Sequence, residues 1–210
     1  MSDSMGEPMI HPSAFVEEGA VLEEGVKVWH LAQVRTGAHL QKGVSVGKDV
    51  YVDSGVRVGD YSRIQNGVNV YNGVEIGKYC FIGPGVTFTN DRYPRIGRKN
   101  WDVVKTVLED GCSLGAGAII RCGIHIGAFA MVGSGSVVTR NIPDFSLVTG
   151  IPAHPTHRIC ACADTIIPLI SFDGVYIRDC CRRNLEKSVL ELAENIIQRG
   201  QVLPLKTGTK

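Results

Sequence analysis

Aliphatic residues recur along this chain at every sixth position. From Ile10 the step of six meets Val16, Leu22, Val28, Val34, Leu40, Val46, Val52, Val58, Ile64, Val70, Ile76 and Ile82 without a break, and Phe88 takes the next place. The register is then lost and resumes at Leu108, Leu114, Ile120, Ile126, Val132 and Val138. Two positions before each early member stands a small or β-branched residue, as at Ala14, Ala20, Val26, Ala32, Ala38, Val44, Val50 and Val56. A period of six fits neither the 3.6 of a helix nor the 2.0 of an ordinary strand. It fits a short strand followed by a turn, in which residues i and i−2 both point inward. Glycine falls at two fixed places of the hexad, as at Gly43, Gly55, Gly67 and Gly73 or Gly47, Gly59, Gly77 and Gly83, and is expected there where the turn needs positive φ. Three such hexads close one triangular coil. Successive coils then stack at roughly 4.8 Å as a parallel β-helix.

Composition agrees with a narrow prism. Of 210 residues 25 are glycine, hydrophobic residues reach 44% and aromatic ones only 7%, so small aliphatics must fill the interior. The glycines do not recur every third residue, which excludes collagen. So large an apolar fraction can offset the entropy of ordering, which argues against a disordered chain. A net charge of +1 argues against a partner that is nucleic acid. No apolar run approaches the ~20 residues that span a bilayer, so no membrane insertion is expected. The N-terminal residues lack the basic and apolar parts of a signal peptide, and the seven cysteines read as reduced thiols of a cytoplasmic protein.

The register breaks over residues 89–105, which read Thr-Asn-Asp-Arg-Tyr-Pro-Arg-Ile-Gly-Arg-Lys-Asn-Trp-Asp-Val-Val-Lys. Arg92, Arg95, Arg98, Lys99 and Lys105 outnumber Asp91 and Asp102 there. A loop ejected from a rigid scaffold is a favoured place for binding and catalysis, and is otherwise a solvated excursion or an arm between copies. After Arg158 the composition changes. Residues 182–199 carry Leu185, Val189, Leu192 and Ile196 at 4-3-4 spacing and predict one amphipathic helix, with Gly200 and Pro204 as its stop and residues 201–210 as a loose tail. The reading is thus of two parts: residues 1–158, with the excursion at 89–105, and a C-terminal extension, 159–210.

Hexads of the form Ile-Gly-x-x-x-x resemble those of the left-handed β-helix acyltransferases, which implies an all-β, left-handed parallel β-helix of hexapeptide repeats. It also implies a homotrimer with sites between neighbouring prisms. The run Phe88-Thr-Asn-Asp-Arg-Tyr-Pro-Arg95 resembles one found in N-acetyltransferases of nucleotide-linked amino sugars. Val28-Trp-His-Leu31, Ile64-Gln-Asn-Gly-Val-Asn-Val-Tyr-Asn72, Cys80-Phe-Ile-Gly-Pro84 and Ser136-Val-Val-Thr139 agree with it. Together they resemble the enzymes that acetylate the 3-amino group of UDP-2-acetamido-3-amino-2,3-dideoxyglucuronate, and a subgroup acting on dTDP-3-amino-3,6-dideoxyhexoses, for surface polysaccharides such as lipopolysaccharide O-antigen.

That resemblance implies acetyl-CoA as cosubstrate and a nucleotide-linked amino sugar as partner. It places Asn90 beside the sugar amine and Arg92 and Arg95 near the diphosphate or a sugar carboxylate, with His30, Gln65 and Tyr71 as further substrate contacts. It places Ala116 and Ser134 at paired backbone contacts along acetyl-CoA, and Thr139 and Arg140 near the pantetheine and phosphates. Gly150-Ile-Pro-Ala153 resembles the family's closing Gly-Asn-Pro-Ala-Arg, but His154 replaces the arginine, leaving Arg158 as a substitute.

The chemistry needs a neutral amine, an oriented thioester and a place for the proton. The excursion holds no histidine. An amide such as that of Asn90 can align the amine but cannot act as a base, so the proton goes to the departing thiolate or to Asp91. His30 is either a substrate contact or a surface hydrogen bond. His39 and His125 precede inward Leu40 and Ile126, so they point outward in structural or interface roles. His30, His39 and His125 are too scattered to form a zinc triad, and Cys160-Ala-Cys162 with Cys180-Cys181 lacks the paired C-x-x-C spacing of a zinc ribbon, so no metal is expected. A non-catalytic scaffold would not need the run from Asn90 to Arg95, and transfer to a hydroxyl would require a stronger base.

Overall fold

The computed structural model describes residues 6–169 and 174–199. As far as Gly150 the chain winds as a β-solenoid of about eight coils. Most strands are two residues long, and each pairs in parallel with the strand one coil on. The first face stacks Met9–Ile10, Lys27–Val28, Ser45–Val46, Arg63–Ile64, Phe81–Ile82, Ser113–Leu114 and Met131–Val132. The second stacks Phe15–Val16 through Thr87–Phe88 to Ile119–Ile120 and Val137–Val138, and the third runs from Val21–Leu22 to His125–Ile126. The architecture is consistent with the left-handed β-helix that the hexads resemble.

The repeat positions fill the interior as their spacing requires. Val28, Val34, Leu40, Val46, Val52 and Val58 are completely buried, as are Val26, Ala32, Ala38, Val44 and Val56 two positions before them, and Phe88 is buried in its turn. Ile10, Val16 and Leu22 are the exception. They occupy the first coil and lie only partly covered or exposed, because a β-stack buries a side chain between coils and the first described coil has a neighbour on one side only.

Glycine serves two purposes here, and positive φ is only one of them. Every sixth residue from Gly19 to Gly85 has positive φ; most are glycine, but Leu31, Asp49, Tyr61 and Tyr79 hold the same conformation. The second set differs. A Cβ on Gly59 would lie 2.5 Å from the carbonyl carbon of Gly77 in the next coil, and one on Gly115 would lie 2.5 Å from the Ser134 nitrogen. Those glycines are there because the next coil's backbone occupies the space of a side chain. At the turns from the third face to the first, the conformational rule yields to packing. Phe129 and Phe145 adopt φ of 52° and 51°, and their rings stack at 5.3 Å. Left-handed backbone costs such residues about 1–2 kcal/mol each, offset by ring burial and stacking.

The excursion leaves the second face after Phe88 and rejoins the third at Thr106–Leu108. A regular coil carries the chain from Val52 to its partner Val70, whereas the coil that leaves Phe88 returns only at its partner Ile120 and is nearly twice as long. The stack closes across the gap: Glu75 pairs with Val107, and the Thr106 amide donates to the Gly73 carbonyl at 2.8 Å.

Beyond the prism the sheet of the first face continues. Ser146–Gly150 joins it in parallel, Ala153–Ile159 turns back antiparallel, and Ile166–Pro168 pairs antiparallel in turn. The amphipathic stretch forms two helices where one is expected: α1 (Asp179–Asn184) and α2 (Lys187–Gln198). Leu185 is extended (φ −102°, ψ 143°) and breaks the helix, because it packs toward the cysteines Cys160, Cys180 and Cys181. Val189, Leu192 and Ile196 keep the expected stripe and pack with Ala193 against Phe129 and Phe145. The stop signals Gly200 and Pro204 and the tail lie outside the described residues.

The two glycine classes predict different costs. Gly59→Ala forces backbone against backbone and should cost about 3 kcal/mol or more, the upper range for overpacking. Gly55→Ala meets open space, is strained only by its φ of +72° and should cost about 1 kcal/mol. Urea unfolding midpoints of the two variants check the order; equal losses would refute the distinction.

Candidate active site

The residues singled out in the sequence lie on two different edges of the prism. His30, Gln65, Ala116 and Ser134 stand at turns between the first and second faces. Tyr71, Asn90, Asp91, Thr139 and Arg140 stand at turns between the second and third. Within one chain the second face separates the two groups.

The first edge is a ladder of backbone hydrogen bonds. Asp49 N–H donates to His30 C=O (3.1 Å), Gly67 to Lys48 (2.9 Å), Gly85 to Asn66 (3.0 Å), Gly117 to Pro84 (2.9 Å) and Gly135 to Ala116 (2.9 Å). This ladder decides which donors a ligand can use. In Gly115-Ala-Gly117 and Gly133-Ser-Gly135 all four glycine amides are engaged, since Gly115 and Gly133 donate to Val132 and Val148. The glycine amides are therefore not available to a ligand. Ala116 and Ser134 are exposed at these turns, and their N–H groups make no hydrogen bond within the described residues. They are one coil apart, roughly 4.8 Å, a spacing that suits the amide-bearing arm of a pantetheine.

Lower on the first face lies a cleft of about 770 Å³, lined by Lys27, Trp29, His30, Lys48, Tyr61, Arg63 and Gln65 among others. His30 stacks on His11 at 3.5 Å, and Trp29 Nε1 donates to Ser45 Oγ at 3.2 Å. Lys27, Tyr61 and Arg63 escape the motif-based reading of the sequence. Their signal is positional: Lys27 and Arg63 share one outward column of the first face, each just before an inward aliphatic, and Tyr61 stands at the turn that leads into that face.

On the second edge the excursion begins with Asn90 and Asp91, both half-buried, and continues exposed from Arg92 to Val103. The Asn90 side chain has no hydrogen-bond partner among the described residues. Asp91 Oδ1 accepts from the Tyr93 amide at 2.8 Å, which tightens the turn. Arg92 and Arg98 place their guanidinium carbons 5.8 and 5.2 Å from the Tyr93 ring centre, and Arg98 Nη1 donates to the Tyr93 carbonyl at 3.3 Å. Arg95 is exposed. Tyr93, Ile96, Trp101 and Val103 are also turned outward, with Ile96 fully exposed. Below the loop, Tyr71 packs with Tyr51 (ring centres 6.1 Å apart), whose hydroxyl bridges Arg35 and Asp53 at 3.1 and 3.0 Å. Burial would raise the Asp53 pKa, but the Ser54 and Asn72 amides and the Tyr51 hydroxyl together hold it below the usual carboxylate range.

The histidines set aside from sequence do point outward. His125 pairs with Glu109 (2.7 Å) and His39 with Glu23 (2.6 Å), both on the third face. Four strand steps separate them, roughly 19 Å, and His30 stands on another edge, so these three cannot share an ion. Arg158 corrects an expectation. It is buried, donates to the Asp144 carbonyl and to Ser146 Oγ (3.2 Å), and lies 5.9 Å from the Tyr176 ring centre; it pins the end of the prism and cannot reach out to a cofactor. The four C-terminal cysteines, separated in sequence, meet in space.

The family of bacterial transferase hexapeptides (six repeats) matches residues 55–90, and the hexapeptide repeat of succinyl-transferase matches 105–140, on either side of the excursion. This chain has the repeat and the β-solenoid of the hexapeptide-repeat acetyltransferases. Among curated relatives, the dTDP-3-amino-3,6-dideoxy-α-D-galactopyranose 3-N-acetyltransferase of Aneurinibacillus thermoaerophilus is 45% identical over 62 residues, 30% of this chain and 32% of that protein. The chain spans about a third of the length of such relatives. Among solved structures, a variant GDP-perosamine N-acetyltransferase from Caulobacter crescentus, in complex with CoA and GDP-perosamine, is 27% identical with a TM-score of 0.50, over 72% of this chain and 57% of that one. A polySia-specific acetyltransferase is 17% identical with a TM-score of 0.62, over 91% and 92% of the two chains, a likeness of fold alone.

If Arg158 is a pin, Arg158→Met removes the guanidinium bonds to the Asp144 carbonyl and the Ser146 hydroxyl, leaving that carbonyl only the Ser146 Oγ–H donor at 3.3 Å. A loss of about 1–3 kcal/mol is expected, with faster amide exchange across Ser146–Gly150 and Ala153–Ile159. Unchanged exchange there would refute the structural role.

Proposed function

We propose that this chain is an acetyl-CoA-dependent N-acetyltransferase acting on the 3-amino group of a nucleotide-linked amino sugar. The observation that carries the reading is the coupling of two features: unengaged, stacked amides at Ala116 and Ser134 on one edge, and the half-buried, unpartnered Asn90 amide at the root of a basic excursion on another. CoA and a nucleotide-linked amino sugar in the GDP-perosamine N-acetyltransferase complex, and the 3-amino-sugar activity of the Aneurinibacillus relative, support the class.

The site is shared between copies. No one prism brings both edges together, whereas the first edge of one copy facing the second edge of the next does so, and repetition around an axis gives a homotrimer. Tyr93, Ile96, Trp101 and Val103, exposed in the single chain, are the apolar surface such packing covers.

The thioester supplies an activated acetyl group. The Asn90 carbonyl accepts a hydrogen bond from the sugar amine and directs its lone pair at the thioester carbon. Holding the two in near-attack geometry supplies several kcal/mol of the barrier, on the order of 7 at the low end of measured effects. The N–C bond forms as the C–S bond breaks, and the amine's surplus proton leaves with the coenzyme A thiolate; Asp91 is the alternative acceptor. Ala116 and Ser134 amides hold the pantetheine arm, Thr139 and Arg140 its phosphate end, and His30, Gln65, Tyr71, Arg92 and Arg95 the nucleotide sugar. The basic excursion favours a UDP-linked uronate with its extra carboxylate, UDP-2-acetamido-3-amino-2,3-dideoxyglucuronate; the Aneurinibacillus relative favours a dTDP-3-amino-3,6-dideoxyhexose as second reading. Such activated sugars and acetyl-CoA meet in the cytoplasm, ahead of surface-polysaccharide assembly.

Thiol release from acetyl-CoA is expected with 3-amino sugars in a panel of UDP- and dTDP-linked substrates, and its absence with all of them would end this reading. Asn90→Ala should lower kcat at least tenfold, while Asp91→Asn retains most turnover if the thiolate takes the proton; the reverse pattern would make Asp91 the base.

Co-expression of two impaired variants, Asn90→Ala and a first-edge block such as Ser134→Trp, should restore part of the activity through mixed sites. A mixture no more active than the variants alone would place the whole site in one chain.

A further inference from the structure

The extension after the prism has a small core made almost wholly of thiols. Its fully covered members are Cys160, Cys180 and Cys181, with Cys162, Ile177, Leu185 and Leu190 packed around them. So small an apolar cluster cannot by itself hold a hairpin and a short helix against their conformational entropy.

The sequence spacing, a C-x-C with its C-C partner far along the chain, does not resemble a zinc ribbon. The fold overrides it. The turn after Ala153–Ile159 presents Cys160 and Cys162, and the start of α1 brings Cys180 and Cys181 back to them, so that all four sulfurs lie within 4.8 Å of one another. Cys160 Sγ is 3.5 Å from Cys162 Sγ and 3.7 Å from Cys180 Sγ. Zinc–sulfur bonds of about 2.3 Å in a tetrahedron put the sulfurs about 3.8 Å apart. The sulfurs also have polar support: the Thr165 amide donates to Cys160 Sγ (3.3 Å), the Arg178 amide to Cys181 Sγ (3.5 Å), and Thr165 Oγ1 lies 3.3 Å from Cys180 Sγ. Outer donors of this kind orient thiolate ligands and stabilise their charge. The prism's own thiols differ. Cys80 and Cys112 approach to 3.6 Å but have no third or fourth ligand among the described residues.

We propose that Cys160, Cys162, Cys180 and Cys181 bind one Zn²⁺ as a closed tetrathiolate site. All four positions are filled by protein, so the ion has no place for water or substrate and is structural. Each bound thiol gives up its proton to solvent, and the ion staples α1 to the end of the sheet. Through α1 it fixes α2, whose Ala193 and Ile196 seat on Phe129 and Phe145. Acetyl transfer makes no use of the ion.

Metal analysis of the full chain, purified under reducing conditions and reloaded with Zn²⁺ after chelation, tests this. One zinc per chain is expected in the wild type and in Cys122→Ser, and background zinc in Cys160→Ser and Cys181→Ser. Because a serine variant could simply misfold, the wild-type chain is also loaded with Co²⁺, which should show thiolate-to-cobalt charge transfer and tetrahedral ligand-field bands displaced by one equivalent of Zn²⁺. Amide exchange should show α1 and α2 losing protection on chelation and regaining it with Zn²⁺, while the prism is unchanged. No zinc uptake by the reduced wild-type chain, iron as its occupant, or zinc retained in both cysteine variants would overturn the proposal.

Discussion

Every other property of this protein depends on the distance between coils. Backbone hydrogen bonds hold successive turns roughly 4.8 Å apart, and that spacing decides what can stand inside, at the corners and on the surface. Inside, the cross-section admits valine, isoleucine, leucine and alanine. At the corners, a side chain directed at the next coil has no room, and glycine is compulsory at positions such as Gly59 and Gly115. On the surface, outward residues stack in columns, one per coil. The scaffold is close to one-dimensional: each turn contacts the one before and the one after.

This explains why the fold was so legible in the sequence. A repeat of six leaves its mark on every coil, and Val28, Val34 and Leu40 are as informative as their neighbours further along. The glycines were legible as corner markers but not in their reasons, because positive φ and want of space produce the same letter. Tyr61 and Phe129, with positive φ and no glycine, show that a ring stack can replace conformational ease. The two-helix ending was less legible. The 4-3-4 spacing from Leu185 to Ile196 is continuous, and only the cluster of thiols near Leu185 breaks it.

The candidate site was legible as residues but not as an arrangement. Asn90, Ala116 and Ser134 could be named from local resemblance, yet nothing in a linear sequence says that they lie on different edges. The ladder along the first edge adds a constraint invisible to motifs: it engages the glycine amides and leaves those of Ala116 and Ser134. The cysteine cluster was hidden for a similar reason. Spacing rules for zinc ribbons assume that each ligand pair sits on one tight turn, whereas here a hairpin end and a helix start supply two each.

The excursion nearly doubles the length of one coil, while the strands on both sides remain paired across it. Its two ends are therefore fixed by the stack and not by its own contents. Closing a longer or shorter loop between fixed ends changes the entropy cost only slowly, by about 0.6 kcal/mol per doubling of length. Loop and scaffold can thus change independently: this segment can lengthen, shorten or be exchanged while the stack that carries it stays as it is.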